Sequence, residues 1–255
     1  MRINHNITAL NNHRNMTLNN TALAKNMEKL SSGLRINRAA DDAAGLAVSE
    51  KMRGQIRGLE QAQRNVQDGI SFVQTAEGAM NEISAMLVRM KELNVQKANG
   101  TYSTTDKDNI DLELDELGKQ IKAILDNTTF NGINITAGVS IASDDKATSI
   151  DISQIDTTNF ANLNSGSGLT DIEAAITAVA TERAKLGALQ NRLEYTSNNL
   201  GTTIENLSAS ESRIRDTDMA KEMVEFAKNQ ILLQSSQAML AQANAAPQGV
   251  LSLLR

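Results

Sequence analysis

The sequence predicts a mainly α fold: a long antiparallel helical bundle or coiled coil, drawn out into an elongated rod, with one short β-hairpin. Three observations predict it. Apolar residues recur every seven positions along two long stretches, at Met52, Leu59, Val66, Val73, Met80 and Leu87, and again at Ile172, Val179, Leu186, Leu193, Leu200, Leu207 and Ile214. A sustained seven-residue repeat marks a helix wrapped on other helices. A single Pro stands in 255 residues, so little breaks a long helix. Aromatic residues make up only 2% and there is no Trp, too few large rings for an ordinary compact core.

The first segment, about Asn4 to Leu30, places Ile3, Ile7 and Leu10, then Leu23, Met27 and Leu30, at helical spacing. It is rich in Asn, a mediocre helix former, so this helix needs a partner surface. The connector "LSSGLRINRAADDAAG" follows. Gly33 suits a helix C-terminus, and Asp41 or Asp42 suits the N-cap of the next helix. That second helix runs from about Ala43 to Asn99, which at its rise per residue is about 80 Å. Its accompanying row reads as Ile56 and Ile70, with a phase shift to Ile83, Met86, Met90 and Leu93. Gly54, Gly58, Gly69 and Gly78 lie inside it, each a local weakness that a close-lying neighbouring helix explains.

A turn, "GTYSTTDKDN", carries N-cap candidates at Thr104, Thr105 or Asp106 and leads into a third helix ending near Asp126. Its early Asp residues and later Lys residues suit the helix dipole. Between Phe130 and Leu169 the β-branched residues Ile133, Ile135, Ile150, Ile152 and Ile155 alternate with turn formers, the pattern of short strands. The fourth helix, about Thr170 to Arg215, carries the strongest repeat, and Asp216 or Asp218 caps a last one. The chain thus divides into terminal helical segments, residues 1–42 and 217–255, and a helical core domain, residues 43–216, with its hairpin near 130–156.

Composition narrows the function classes. The net charge of −5 argues against a nucleic-acid surface. With no Cys there are no disulfides, thiolate ligands or thiol nucleophiles. The two histidines, His5 and His13, stand eight apart in the first segment outside any metal motif, and polar surface positions explain them better than a metal pair. No phosphate loop and no nucleophile with its base occur, so no catalytic residue, metal or cofactor is expected. Asp41 and Asp42 read as caps rather than a paired carboxylate site. The start lacks the apolar run and cleavage site of a secretory signal.

The tail poses the question of partners. From Asn229 to Leu254 there is no charged side chain, yet Leu232, Leu233, Met239, Leu240, Val250, Leu251, Leu253 and Leu254 stand there. Interspersed Gln, Ser and Asn exclude a membrane span. Together with Ile3, Ile7 and Leu10, these residues form the expected assembly interface, covered by copies of the same chain.

The stretches "MRINHNITALN", "EKLSSGLRINRAADDAAGLAVSEKMRGQIRGLEQAQRNVQDGISFVQTAEGAMNEI", "FNG", "LGALQNRLEYTSNNL", "SRIRDTDMAKEM" and "QAMLAQANAAPQGVLSLLR" resemble bacterial flagellin, closest to the short flagellins of Gram-positive bacilli that lack variable outer domains. The resemblance covers roughly the first 135 and the last 85 residues. It implies a structural subunit that polymerises into the extracellular flagellar filament for swimming motility. Its terminal helices would form the filament's inner tube. It also implies export through the flagellar type III apparatus without a cleaved signal peptide, with an export chaperone, a filament cap and hook-associated junction proteins as partners. By local alignment of "LVRMKELNVQKAN" and "DNIDLELDEL", the residues expected to meet the vertebrate Toll-like flagellin receptor are Arg89, Leu93 and Glu113. The rival reading is a hook–filament junction protein, which shares the terminal pattern. A membrane-active translocator would need the uninterrupted span that is missing.

Overall fold

A computed structural model describes residues 5–146 and 148–253, with side chains described as far as residue 246. Among them are five helices, α1 (Ile7–Ser32), α2 (Ala43–Lys97), α3 (Thr104–Asn127), α4 (Leu169–Arg215) and α5 (Met219–Leu253). Four short strands lie between α3 and α4: β1 (Thr129–Phe130), β2 (Ile133–Asn134), β3 (Val139–Ala142) and β4 (Ser149–Ile152). The chain divides into two compact units, one of Met1–Gly54 with Asn206–Arg255, the other Gln55–Glu205.

The second unit is built on the seven-residue repeat. Leu59, Val66, Val73, Met80 and Leu87 of α2 are all buried. The row beside them is not Ile56 and Ile70, which are only half-buried, but Ala62, Gly69, Ala76, Ile83 and Met90, each buried and each three positions further on. There is therefore no phase shift at Ile83. One unbroken heptad seam runs from Leu59 to Met90, with small residues in its early layers. From α4 the buried residues Ile172, Val179, Leu186, Leu193 and Leu200 face the same core. Ion pairs Arg183–Glu77 (3.0 Å) and Lys91–Glu173 (2.9 Å) show that α2 and α4 run antiparallel. Arg89–Glu113 (3.0 Å) and Lys97–Asp111 (2.5 Å) do the same for α2 and α3. Exposed pairs of this kind contribute little stability; the buried seam holds the unit.

Two hairpins stand where the sequence suggested one. β1 and β2 pair antiparallel, Phe130 opposite Ile133, around Asn131 (φ 50°) and Gly132 (φ 79°). Positive φ at both central positions is the reason Asn-Gly favours the two-residue hairpin turn. Asn134 then donates from Nδ2 to the Leu125 and Asp126 carbonyls (2.8 and 3.0 Å), satisfying groups that the end of α3 leaves free. β3 and β4 pair antiparallel, Val139 opposite Ile152. Ile141 of β3 lies against Gly69, and Asp145 against Gly58. The close approach to α2 is thus made by a hairpin, not by another helix, and Gly54 and Gly78 face open space.

The caps explain where the helices begin. Asp42 accepts from the Gly45 N–H (2.8 Å) at the start of α2, and Asp218 accepts from the Lys221 N–H (3.1 Å) at the start of α5. For α3 the cap is Ser103, one residue ahead of the expected candidates. Its side chain accepts from the Asp106 N–H while Asp106 accepts from the Ser103 N–H, a closed capping box.

Hydrogen bonds to aspartates of this unit make it acid-sensitive. The Ser103 hydroxyl holds the Asp106 carboxyl below its usual range, the Ser165 N–H does so for Asp115, Ser140 for Asp151 and Thr158 for Asp156. A carboxylate depressed in the folded state adds stability above its unfolded pKa, and that stability is lost as pH falls through the folded value. The thermal midpoint of Gln55–Glu205 is therefore expected to hold steady at neutral pH and fall below the aspartate reference value of 3.8, followed by circular dichroism. Ser103→Ala and Thr158→Ala should make that fall shallower; an unchanged slope would contradict the assignment.

Candidate assembly surface

The first unit is organised by the pairing of α1 with α5. Its seam follows heptad spacing on both helices. On α1 one half-buried row is Ala9, Met16, Leu23 and Leu30, and the other is Asn12, Asn19 and Asn26. On α5 one row is Phe226, Leu233 and Leu240, and the other is Glu222, Asn229, Ser236 and Ala243. Polar row meets polar row. Asn12 Nδ2 donates to the Met239 carbonyl (3.4 Å) and Asn19 Nδ2 to Ser236 Oγ (3.3 Å). Asn26, 8% exposed, donates to Glu222 Oε1 and accepts from Asn229 Nδ2, both at 3.0 Å, in the amide orientation that satisfies its oxygen and its nitrogen. Asn6 caps α1 by accepting from the Ala9 N–H (3.1 Å) and donates to the Ala243 carbonyl (2.8 Å).

Past this seam the two connectors are stitched together. Gly33 ends α1 in the left-handed conformation, φ 72°. The Arg35 N–H donates to the Arg215 carbonyl (2.7 Å), and the Thr217 N–H to the Gly33 carbonyl (2.9 Å). The Arg35 guanidinium donates to the Ile214 carbonyl (2.5 Å) at the C-terminal end of α4, where positive charge suits the helix dipole. Arg215 reaches Glu50 (2.6 Å) and is the first cause holding the Glu50 carboxyl below its usual range.

With the seam occupied, the described residues on the other sides of both helices are exposed. Ile7, Leu10 and Leu18 are exposed, Leu10 by 65%, and the 3.6-residue period puts all three opposite the seam. On α5 Val224 and Ile231, 67% and 65% exposed, lie opposite it in the same way, and Leu232 and Met239 are exposed at its flank. Leu233 and Leu240 differ: both are half-buried and belong to the seam. Val250, Leu251 and Leu253 lie within α5, but their side chains fall outside those described; Ile3 and Leu254 lie outside the described residues. The interface expected from the sequence left out Leu18, Val224 and Ile231. Among the described residues no helix is long and apolar enough to cross a membrane.

Residues 3–140 match the bacterial flagellin N-terminal helical region, and residues 169–254 match the bacterial flagellin C-terminal helical region. The chain belongs to the bacterial flagellin family. It is 49% identical to a flagellin of Bacillus subtilis (strain 168) and 51% identical to one of Halalkalibacterium halodurans, each alignment covering 100% of both chains. It is 45% identical to the flagellar filament 33 kDa core protein of Treponema phagedenis, again over 100% of both. As a flagellin it is a structural protein and not an enzyme. It is a subunit of a self-polymerising flagellar filament outside the cell, and the junction-protein reading is not favoured.

The three residues expected to meet the receptor occupy different settings. Arg89 donates from Nε and Nη2 to Glu113 Oε1, both at 3.0 Å, and from Nη1 to Glu92 (3.2 Å). These acceptors, Glu113 foremost, push the guanidinium's already high pKa further up. Leu93 is 2% exposed and belongs to the α2 core. Arg89 and Glu113 form a surface pair; Leu93 lies beneath the surface.

Proposed function

We propose that this flagellin polymerises by laying the outward apolar stripes of α1 and α5 against the terminal helices of neighbouring copies. The terminal segments, 1–42 and 217–255, then form the inner tube of the filament, and 43–216 its outer helical domain. The observation that carries this reading is the exposure of Ile7, Leu10, Leu18, Val224 and Ile231 on a helix pair whose own seam is already filled. Fully burying one such side chain contributes about 1.5–3 kcal/mol, and several per subunit offset the cost of ordering and association. The rest of the proposed interface is Leu232 and Met239 at the flank and, beyond the described side chains, Ile3, Val250, Leu251, Leu253 and Leu254. Leu233 and Leu240 support it from within the pair. Purified chain added to filament seeds is expected to elongate them without limit, seen by electron microscopy. Arrest after a few added subunits would instead favour a junction protein.

The same family membership supports its remaining partners: an export chaperone, the flagellar export apparatus, a filament cap under which the subunit folds, and hook-associated junction proteins at the base. It also supports recognition of the free chain by the vertebrate Toll-like flagellin receptor, with Arg89 and Glu113 as the contacts and Leu93 as the residue that seats them. In receptor reporter cells Arg89→Ala and Glu113→Ala are expected to lower activation with an unchanged melting curve, while Leu93→Ala lowers both. Full activation by the two surface variants would remove this assignment.

A further inference from the structure

The α1–α5 seam spends half of its layers on amides and hydroxyls. Asn12, Asn19 and Asn26 stand seven apart, and Glu222, Asn229 and Ser236 stand seven apart opposite them. We propose that this asparagine row is the register-determining element of the pair, admitting one alignment of α1 against α5 and rejecting the slips of three or four residues. In the observed register each of the three amides has a partner on α5. A slip of half a heptad would carry Asn19 and Asn26 away from Ser236, Asn229 and Glu222 into layers occupied by Phe226, Leu233 and Leu240, whose side chains offer only carbon. Asn26 is buried, and a buried polar group left without a partner is costly; Asn19 would lose its hydroxyl partner in the same slip. Apolar layers exert no such choice. With leucine in both rows every layer would present carbon to carbon after a slip of three or four residues, so such a seam would tolerate it. A single asparagine in a heptad seam is known to fix alignment at the expense of stability; here three do so.

The connector bonds at Gly33 and Thr217 pin one end of the pair. The asparagines act along the remaining length, away from that clasp. A half-heptad slip would displace Ile7, Leu10 and Leu18 by about 5 Å relative to Val224 and Ile231. A helical polymer needs the same surface on every copy. Only this matching of outward stripes rests on the filament reading; the register itself does not.

The chain has no cysteine, so introduced pairs report cleanly. Asn19→Cys with Ser236→Cys reports the observed register, because those side chains meet at 3.3 Å. Asn19→Cys with Leu240→Cys reports the four-residue slip. The full chain is oxidised under assembly conditions, and the two disulfide yields are compared. With Asn12 and Asn26 in place the 19–236 bridge is expected to exceed the 19–240 bridge several-fold. Asn12→Leu with Asn26→Leu, which improves helix propensity, should bring the two yields close together, whereas Asn12→Gln with Asn26→Gln should keep the preference. An undiminished preference in the leucine variant would assign the register to the connector clasp and overturn the proposal. A collapse in the glutamine variant equal to that in the leucine variant would do the same. Failure of the cysteine-free parent to elongate seeds would count against the filament reading and leave the disulfide ratio standing.

Discussion

A chain lacking residues 236–255 is expected to lose polymerisation completely while its second unit stays folded. The deletion removes Ser236, the Met239 carbonyl and the Ala243 carbonyl, the acceptors of Asn19, Asn12 and Asn6. It also removes Leu240 from the apolar row and Met239 from the exposed flank. A lone helix of the length of α1 is marginal in water, the more so when rich in asparagine. The N-terminal half of α1 should therefore melt along with the shortened α5. The core of Gln55–Glu205 is its own, made by Leu59 to Met90 of α2 with Ile172 to Leu200 of α4. Circular dichroism should show reduced helicity with the main thermal transition unmoved, and electron microscopy should show seeds that fail to grow. Elongation at the full-length rate would contradict the role assigned to the terminal helices. Loss of the main transition would contradict the independence of the second unit.

Legibility in the sequence depended on side-chain size. Leu59, Val66, Val73, Met80 and Leu87 announce their seam because each is large and apolar, and the α4 repeat reads as plainly. The companion row did not, since Ala62, Gly69 and Ala76 leave no mark on a hydrophobic pattern; at Gly69 the missing side chain is what lets Ile141 approach. The polar row was hidden for the opposite reason. Asn12, Asn19 and Asn26 have heptad spacing in full view, yet asparagine suggests weak helix before it suggests a buried ladder. Only the partner helix supplies Ser236, Asn229 and Glu222. The Asn131-Gly132 turn was present in a quoted motif, but strands of two residues carry no alternation to find. Glycines 58 and 69 signalled contact correctly and its source wrongly, because a sequence does not say which distant segment comes to rest on a helix. Exposure was the least legible property: Leu10 and Leu240 look alike in a list of apolar residues, and one faces solvent while the other fills the seam.

The second large effect concerns the segment between β4 and α4, where one aromatic ring and one missing Cβ hold a turn in place. Phe160 is fully buried, and the turn around it is fastened from two helices. Asn94 and Lys97 of α2 donate to the Ser167 and Ser165 carbonyls (2.9 and 3.2 Å). Asp115 of α3 accepts from the Ser165 N–H (2.8 Å). The Leu163 carbonyl lies directly over Gly118 of α3, in the space a Cβ would take. Replacing a buried Phe by Ala typically costs about 3–5 kcal/mol, so Phe160→Ala should lower the main thermal transition more than any surface change. Gly118→Ala tests the same turn from the other side. In an open helix that substitution gains about 0.5–1 kcal/mol, and at Gly78, where a Cβ meets nothing, that gain is expected. At Gly118 the new methyl group meets a backbone carbonyl that cannot rotate away, and overpacking of this kind costs about 1–3 kcal/mol. The two glycines should thus respond with opposite sign in denaturant titrations of the full chain. A stabilised Gly118→Ala would mean that the Phe160 turn is held more loosely than its hydrogen bonds to α2 and α3 require.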